Sequence, residues 1–156
     1  MAVRTTTFGT RTQFTNYTNL NSLANNAAKP LAVVDNSTTK ADRYDVEVSV
    51  TLGASSVSST GTIEWYLINA LQNSAASDWT DGIDPAGTSD ISSSLKNARC
   101  IRVSAANANS QVVRERFVLP ARAMKFWALV PLNKTGAAFA SSGNDAQYMS
   151  VKDDIS

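Results

Sequence analysis

Tyr44-Asp45-Val46-Glu47-Val48-Ser49-Val50-Thr51-Leu52 is the stretch whose reading decides the fold. Tyr44, Val46, Val48, Val50 and Leu52 share one parity, while Asp45, Glu47, Ser49 and Thr51 occupy the other. Successive side chains of a strand point to opposite faces, so this alternation predicts one buried and one wetted face, the pattern of an antiparallel sheet. Each Val or Leu buried there contributes about 1.5–3 kcal/mol.

Outward from this strand, Gly53 to Gly61 is nearly all serine and reads as a loop. Thr62 to Leu71 is a second strand, with Ile63, Trp65 and Leu67 on one face and Glu64, Tyr66 and the unusually apolar Ile68 on the other. Its Ile-Trp-Tyr content and the Gly61 boundary favour a strand over a helix. Asn73 to Asn97 is long, small and polar, with turn chemistry at Asp81-Gly82 and at Asp84-Pro85-Ala86-Gly87, and a short helix over Ile91 to Asn97. Strand-sized segments follow at Arg99 to Ala105, Gln111 to Leu119, Met124 to Leu132 and Asp145 to Val151. In Gln111 to Leu119, Glu115 is the exception on the parity of Val113, Phe117 and Leu119. With Leu31 to Asp35 and an N-terminal strand, the segments reach the count of a jelly roll. The expected fold is all-β: a jelly-roll-like antiparallel β-sandwich with an extended N-terminal arm, an immunoglobulin-like sandwich remaining open.

Residues 1–30 read as that arm or as the first strand, and residues 31–156 as the sandwich. Thr and Asn crowd Thr5 to Asn26, with Phe8, Phe14, Tyr17, Leu20 and Leu23 isolated among them. Arg4, Arg11, Lys29, Lys40 and Arg43 face only Asp35 and Asp42 in this part of the chain. Read as an arm, residues 1–28 are dispensable for folding and serve attachment.

Composition excludes several functions. A length of 156 residues fits one domain. Charged residues are 17% of the chain, below the usual quarter, and 47 residues of Ser, Thr and Asn fill the gap, which suits turns and strand faces. A net charge of +1 disfavours general attraction to nucleic acid or membranes. Histidine is absent, and with it the commonest general base and metal ligand. Cys100, the single cysteine, cannot form an intramolecular disulfide. No run of some 18 apolar residues appears, and Met1-Ala2-Val3-Arg4 lacks the apolar stretch of a signal peptide, so the chain reads as soluble and unexported.

The chemically suggestive residues have bland readings. Asp78, Asp81 and Asp84 lack the alternate ligands and terminal Glu of a calcium loop, so no metal is expected. Glu64, beside Trp65 and Tyr66, is the best carboxylate for glycosidase chemistry, but it reads as a strand residue paired with an arginine such as Arg114 or Arg116. Trp65 and Trp127 belong to strand patterns and the core, leaving Trp79 as the tryptophan expected at an exposed contact. Arg99, Arg102, Arg114, Arg116, Arg122 and Lys125 gather in the later strands with little aromatic interleaving, which suits ion pairs or subunit contacts better than nucleic acid. Cys100 reads as a small buried thiol. No phosphate-cradling glycine loop occurs, and three Asn-x-Thr sequons are explained by composition. No cofactor and no enzymatic activity are expected.

Arg122-Ala123-Met124-Lys125-Phe126-Trp127-Ala128-Leu129-Val130, followed by Asn133-Lys134-Thr135-Gly136-Ala137-Ala138-Phe139-Ala140-Ser141-Ser142-Gly143-Asn144 and a tyrosine-containing strand from Ala146 to Val151, resembles small virion proteins of tailed bacteriophages. Ile63 to Leu67 and the loop from Trp79 to Gly82 suit the same pattern. The resemblance implies a jelly-roll capsid cement, or decoration, protein, made in the host cytoplasm. Such a protein sits on the outside of the virion head as a homotrimer and clamps neighbouring subunits of the major capsid protein, with no direct contact to nucleic acid or membrane. The N-terminus does not match the family, so the contact residues are inferred from the arm itself: Phe8, Phe14 and Tyr17 as anchors, Arg4 and Arg11 as partners of acidic capsid surface, with Trp79 added from its loop. Two rival expectations are a receptor- or sugar-binding jelly roll of a tail fibre, using Trp79, and a coat protein that assembles into the shell itself.

Overall fold

The computed structural model describes residues 4–73, 75, 78, 79, 83, 85 and 89–155. Among them the chain forms strands β1 (Arg4–Phe8), β2 (Thr12–Gln13), β3 (Val34–Asp35), β4 (Arg43–Thr51), β5 (Thr62–Ala70), β6 (Arg99–Ala105), β7 (Val112–Pro120), β8 (Phe126–Lys134) and β9 (Asp145–Ile155), with one short α-helix, α1 (Asn36–Thr39), and 3-10 turns at Tyr17–Leu20 and Ser92–Ser94. Every strand pairing is antiparallel. In the first sheet β1 and β2 both pair with β9, which is followed by β4 and β7; the second runs β3-β8-β5-β6. With β1 and β2 taken as one interrupted strand, each sheet has four members, and the chain changes sheet at every later connection except β5 to β6. That order is a jelly roll, not the immunoglobulin arrangement. The turn residues Asp81, Gly82, Asp84, Ala86 and Gly87 lie outside the described residues.

The alternation of Tyr44 to Leu52 translates directly into packing. Along β4 every second residue is buried, and Tyr44, Val46, Val48 and Val50 face the second sheet. Trp127 of β8 meets them in an aromatic cluster, its ring centroid 5.0 Å from Tyr44, 6.1 Å from Tyr148 and 5.9 Å from Phe14, mostly in the tilted or edge-on geometries that aromatic quadrupoles favour. At the other end of the core Trp65 packs on Phe117 at 5.5 Å. Glu115, the exception on its parity, faces the gap between the sheets, where it accepts a 2.6 Å hydrogen bond from the Ser104 hydroxyl. Ser104 in turn accepts the indole N–H of Trp65 at 2.8 Å, so the polar residue in an apolar row completes a buried relay.

Apolar residues on the second face of β5 have a separate cause. A second core of Ile68, Ala70, Trp79, Ile83, Leu95, Ala128 and Val130 lies on the outer side of the second sheet, beneath the β5–β6 connection. β8, buried on both faces, is apolar from Phe126 to Leu132 for this reason. Trp79 bridges to Ala70, is 4% exposed, and donates its indole N–H to Asn73. The expectation of an exposed Trp79 is therefore corrected: it anchors the long connection to the sheet. Cys100 is corrected in the opposite sense, being exposed, because β6 is an edge strand and Cys100 sits opposite Tyr66 on its outer side.

The N-terminal segment is a structural part of the sandwich and not a free arm. β1 pairs with β9 from Arg4↔Ile155 to Phe8↔Val151. Phe14, Leu20 and Leu23 are each no more than 2% exposed and belong to the main core. Backbone bonds then stitch residues 22–31 along the molecule: Leu31 to Leu129, Asn133 to Ala27, Phe139 to Leu23 and Ser22 to Ala140. The many asparagines serve this stitching. Asn133, fully buried, donates to the carbonyls of Leu23 and Ala137 and accepts from the backbone and hydroxyl of Thr135. Asn144 accepts from the Thr51 backbone and donates to Asn21 and Ala140. In the turn after Asn133, Gly136 has φ +88°, a left-handed conformation that glycine adopts without penalty, and its N–H reaches Asn25.

Candidate interaction surface

The residues expected to make contacts separate into different environments. Phe14 and Trp79 are core residues, as described, because each fills a space that the sheets leave open; neither offers a surface. Tyr17 is half-buried against the main core. Arg4 holds its place in β1 opposite Ile155, and its side chain lies outside what is described. Phe8 is 59% exposed on the outer face of the first sheet, opposite Val151. Arg11 reaches across that face to Glu47 at 2.6 Å. Of the six, Phe8 and Arg11 remain as exposed candidates with described side chains.

Around Arg11 the sheet has a charged hollow of about 240 Å³, lined also by Asp45, Glu47, Arg116, Gln147 and Met149. Strand register builds it: Gln147, Glu47 and Arg116 stand side by side across β9, β4 and β7. Glu47 is clasped between Arg116 and Arg11, and the hydrogen bond from Arg116 chiefly holds its carboxyl below the usual range. Here the sequence reading paired the wrong glutamate: Arg116 bonds Glu47, whereas Glu64, on the other sheet, takes Lys134 at 2.9 Å and the Tyr66 hydroxyl at 2.7 Å. That hydrogen bond to Glu64 pushes the Tyr66 phenol up to about 12. Glu64 thus has a cation and a phenol for neighbours, not the facing carboxylate that glycosidase chemistry requires.

A larger feature was not singled out in the sequence. β7 ends the first sheet and β6 ends the second, so the two edges, unpaired among the described residues, lie on the same side of the sandwich. Of the five exposed large hydrophobic residues among those described, Val103, Val112 and Val118 are on these two strands. Between the edges runs a groove in two continuous parts of about 200 and 360 Å³, which share Leu67, Arg99 and Pro120. Its floor is apolar, from Leu67, Phe117, Leu119 and Met124, and its rim carries Arg99, Arg102, Arg116 and Arg122. Arg102 is pinned by Glu115 at 3.3 Å and lies 5.8 Å over the Phe117 ring, closing the end beside the Ser104 relay. Arg122 pairs with Asp42 while staying largely exposed. Arg99 has no ion-pair partner among the described residues. The clue was present in the basic clustering of the later strands, but only the strand order shows that both edges meet.

No cluster of three or more potential metal ligands occurs among the described residues, and no described helix is long and apolar enough to cross a membrane. The carboxylates make acid the sensitive direction. Asp42 is lowered by the Asp153 backbone N–H and then by Arg122. At Asp90 desolvation pushes upward, but backbone N–H groups of Ala28 and Ser92 outweigh it and the result is again lowered. A carboxylate lowered on folding stabilises above its unfolded pKa, about 4, and that contribution disappears as pH falls through the folded value. Thermal melts are therefore expected to be flat from about pH 5 to 8, where histidine would titrate in other proteins, and to fall below about pH 4. A steep change of melting temperature near pH 6.5 contradicts this assignment.

No family model matches the chain, and no curated protein matches it. Among solved structures, one titled "CBM4 structure and function" is similar over 83% of this chain and 69% of its own, with 8% identity and a TM-score of 0.30. A likeness this slight bears on neither function nor site. The chain is an all-β antiparallel sandwich on the strength of its own strand order.

Proposed function

We propose that this chain is a structural virion protein, a cement protein that binds the outside of a phage head and joins neighbouring major capsid subunits, acting as a homotrimer. The observation that carries the reading is the side bounded by β6 and β7, where two edges unpaired among the described residues, the exposed Val118 and a row of arginines form one adhesive surface. Exposed edges promote unwanted pairing, and proteins blunt them unless something is to be bound there. Aromatic and arginine side chains at the groove are the types enriched where proteins meet. The described carboxylates, by contrast, are engaged in ion pairs, side-chain hydrogen bonds and backbone capping, an arrangement suited to holding a shape. The resemblance of the segment from Arg122 to Asn144 to small virion proteins points the same way.

Assembly state tests the proposal against its nearest rival. Light scattering on the purified chain is expected to give a small closed oligomer, a trimer, at all ionic strengths that keep it soluble. Large closed particles formed by this chain alone overturn the reading and make it a coat protein.

A further inference from the structure

We propose that the β6–β7 groove takes an extended segment of the partner chain whose carboxylates alternate with apolar residues. This deepens the cement reading and rests on it for the partner's identity. The segment adds as a strand to one of the free edges, so its backbone pairs with groups that have no ladder partner. In an added strand side chains alternate in direction. One set enters the groove over Leu67, Phe117 and Leu119, while neighbouring carboxylates reach the arginines of the rim.

Charge selects the occupant. Four arginines edge the groove: Glu115 answers Arg102, Asp42 answers Arg122 and Glu47, on the outer face of the first sheet, answers Arg116, while Arg99 has no ion-pair partner among the described residues. A two-fold contact between copies sets this rim against itself, which is repulsive, so the same arginines that invite an acidic strand keep β6 and β7 from pairing with their own kind. Guanidinium groups also suit carboxylates geometrically, since their planar donors bond both oxygens at once. Arg99, without an ion-pair partner among the described residues and shared by both parts of the groove, is the principal recognition residue, with Arg122 as the second.

The test uses the full chain and a fluorescent octapeptide of alternating valine and glutamate, followed by anisotropy, with a valine–lysine octapeptide and a backbone N-methylated valine–glutamate octapeptide as controls. Binding of the acidic peptide alone is expected. It should weaken about tenfold or more in Arg99→Glu and in the Arg99→Gln/Arg122→Gln pair, which removes charge without repelling Asp42. Arg114→Gln, on the outer face opposite Ser49, should bind as the unaltered chain does. Unchanged melting temperatures establish that the variants are folded. Equal binding by the Arg99 variants, equal binding of the N-methylated peptide, or no binding of the acidic peptide overturns the inference. So does dimerisation that is lost in Arg99→Gln/Arg122→Gln, which places a second copy in the groove. Peptide binding without any attachment to phage heads leaves the groove's specificity standing and refutes the cement reading instead.

Discussion

A chain lacking residues 1–28 is expected to show no cooperative unfolding transition. The deletion removes β1 and β2, which cover β9, and withdraws Phe14, Leu20 and Leu23 from the main core. Burial of three such side chains stabilises by roughly 5–9 kcal/mol, comparable with the whole stability of about 5–15 kcal/mol typical of a domain. Cavities left beside Trp127 and Tyr148 add to the loss. Polar groups are stranded as well: the Asn133 amide loses the Leu23 carbonyl, and the Phe139 N–H loses the same acceptor. Removal of residues 1–9 alone should be tolerated, because the described residues Thr5 to Gly9 are exposed. Circular dichroism during thermal unfolding distinguishes the two truncations. A shortened chain from residue 29 that still melts cooperatively within a few degrees of the full chain would show that the segment is an accessory.

Asn36→Ala is expected to destabilise the protein by about 3 kcal/mol or more, an unusual effect for a change that removes so little apolar surface. Asn36 opens α1, capped by Asp35, and its side chain is buried where α1, β4 and the β7–β8 turn converge. The amide donates to the carbonyls of Ala41, Ala121 and Met124, and its oxygen accepts from the Ala41 backbone and the Tyr44 hydroxyl. Alanine takes this partner from all five groups where the residue is only 6% exposed; the Ala121 carbonyl keeps the Met124 N–H, and each buried group left orphaned costs about 1–3 kcal/mol. Urea denaturation measures the change directly. A loss below about 1 kcal/mol would mean that water enters and replaces the amide.

Much of the sandwich was legible because its inner faces obey period two. β4 announced itself, and β6 has the bounds that its segment suggested. β9 continues to Ile155, beyond the expected end at Val151, because β1 supplies a partner along residues that are polar in sequence. The N-terminus stayed open between arm and first strand for a physical reason. Phe14, Leu20 and Leu23 are buried without regular spacing, since irregular chain satisfies its backbone through Asn133 and Asn144 and not through a ladder. Local composition cannot reveal such distant partners. Trp79 misled for a related reason: a polar connection looks exposed unless one knows that the second face of β5 and β8 needs a cover, which the apolar Ile68 already hinted. Glu115 is the converse case, in which a broken pattern marked the polar relay at the closed end of the groove.

The groove required topology before it was visible. Arginines on β6 and β7 are close along the chain, but the two strands belong to different sheets, and only the ending of both sheets on one side sets their edges across one groove. Once they meet, the surface has what an assembly protein needs, with free backbone edges for strand addition, an apolar floor and a cationic rim.

Co-sedimentation of the purified chain with undecorated phage heads tests the central claim most directly. The cement reading predicts saturable pelleting at a fixed ratio to the major capsid protein, weakened when Arg99 and Arg122 are both changed to glutamine. A folded chain of unaltered sequence that stays in the supernatant at every ratio contradicts it.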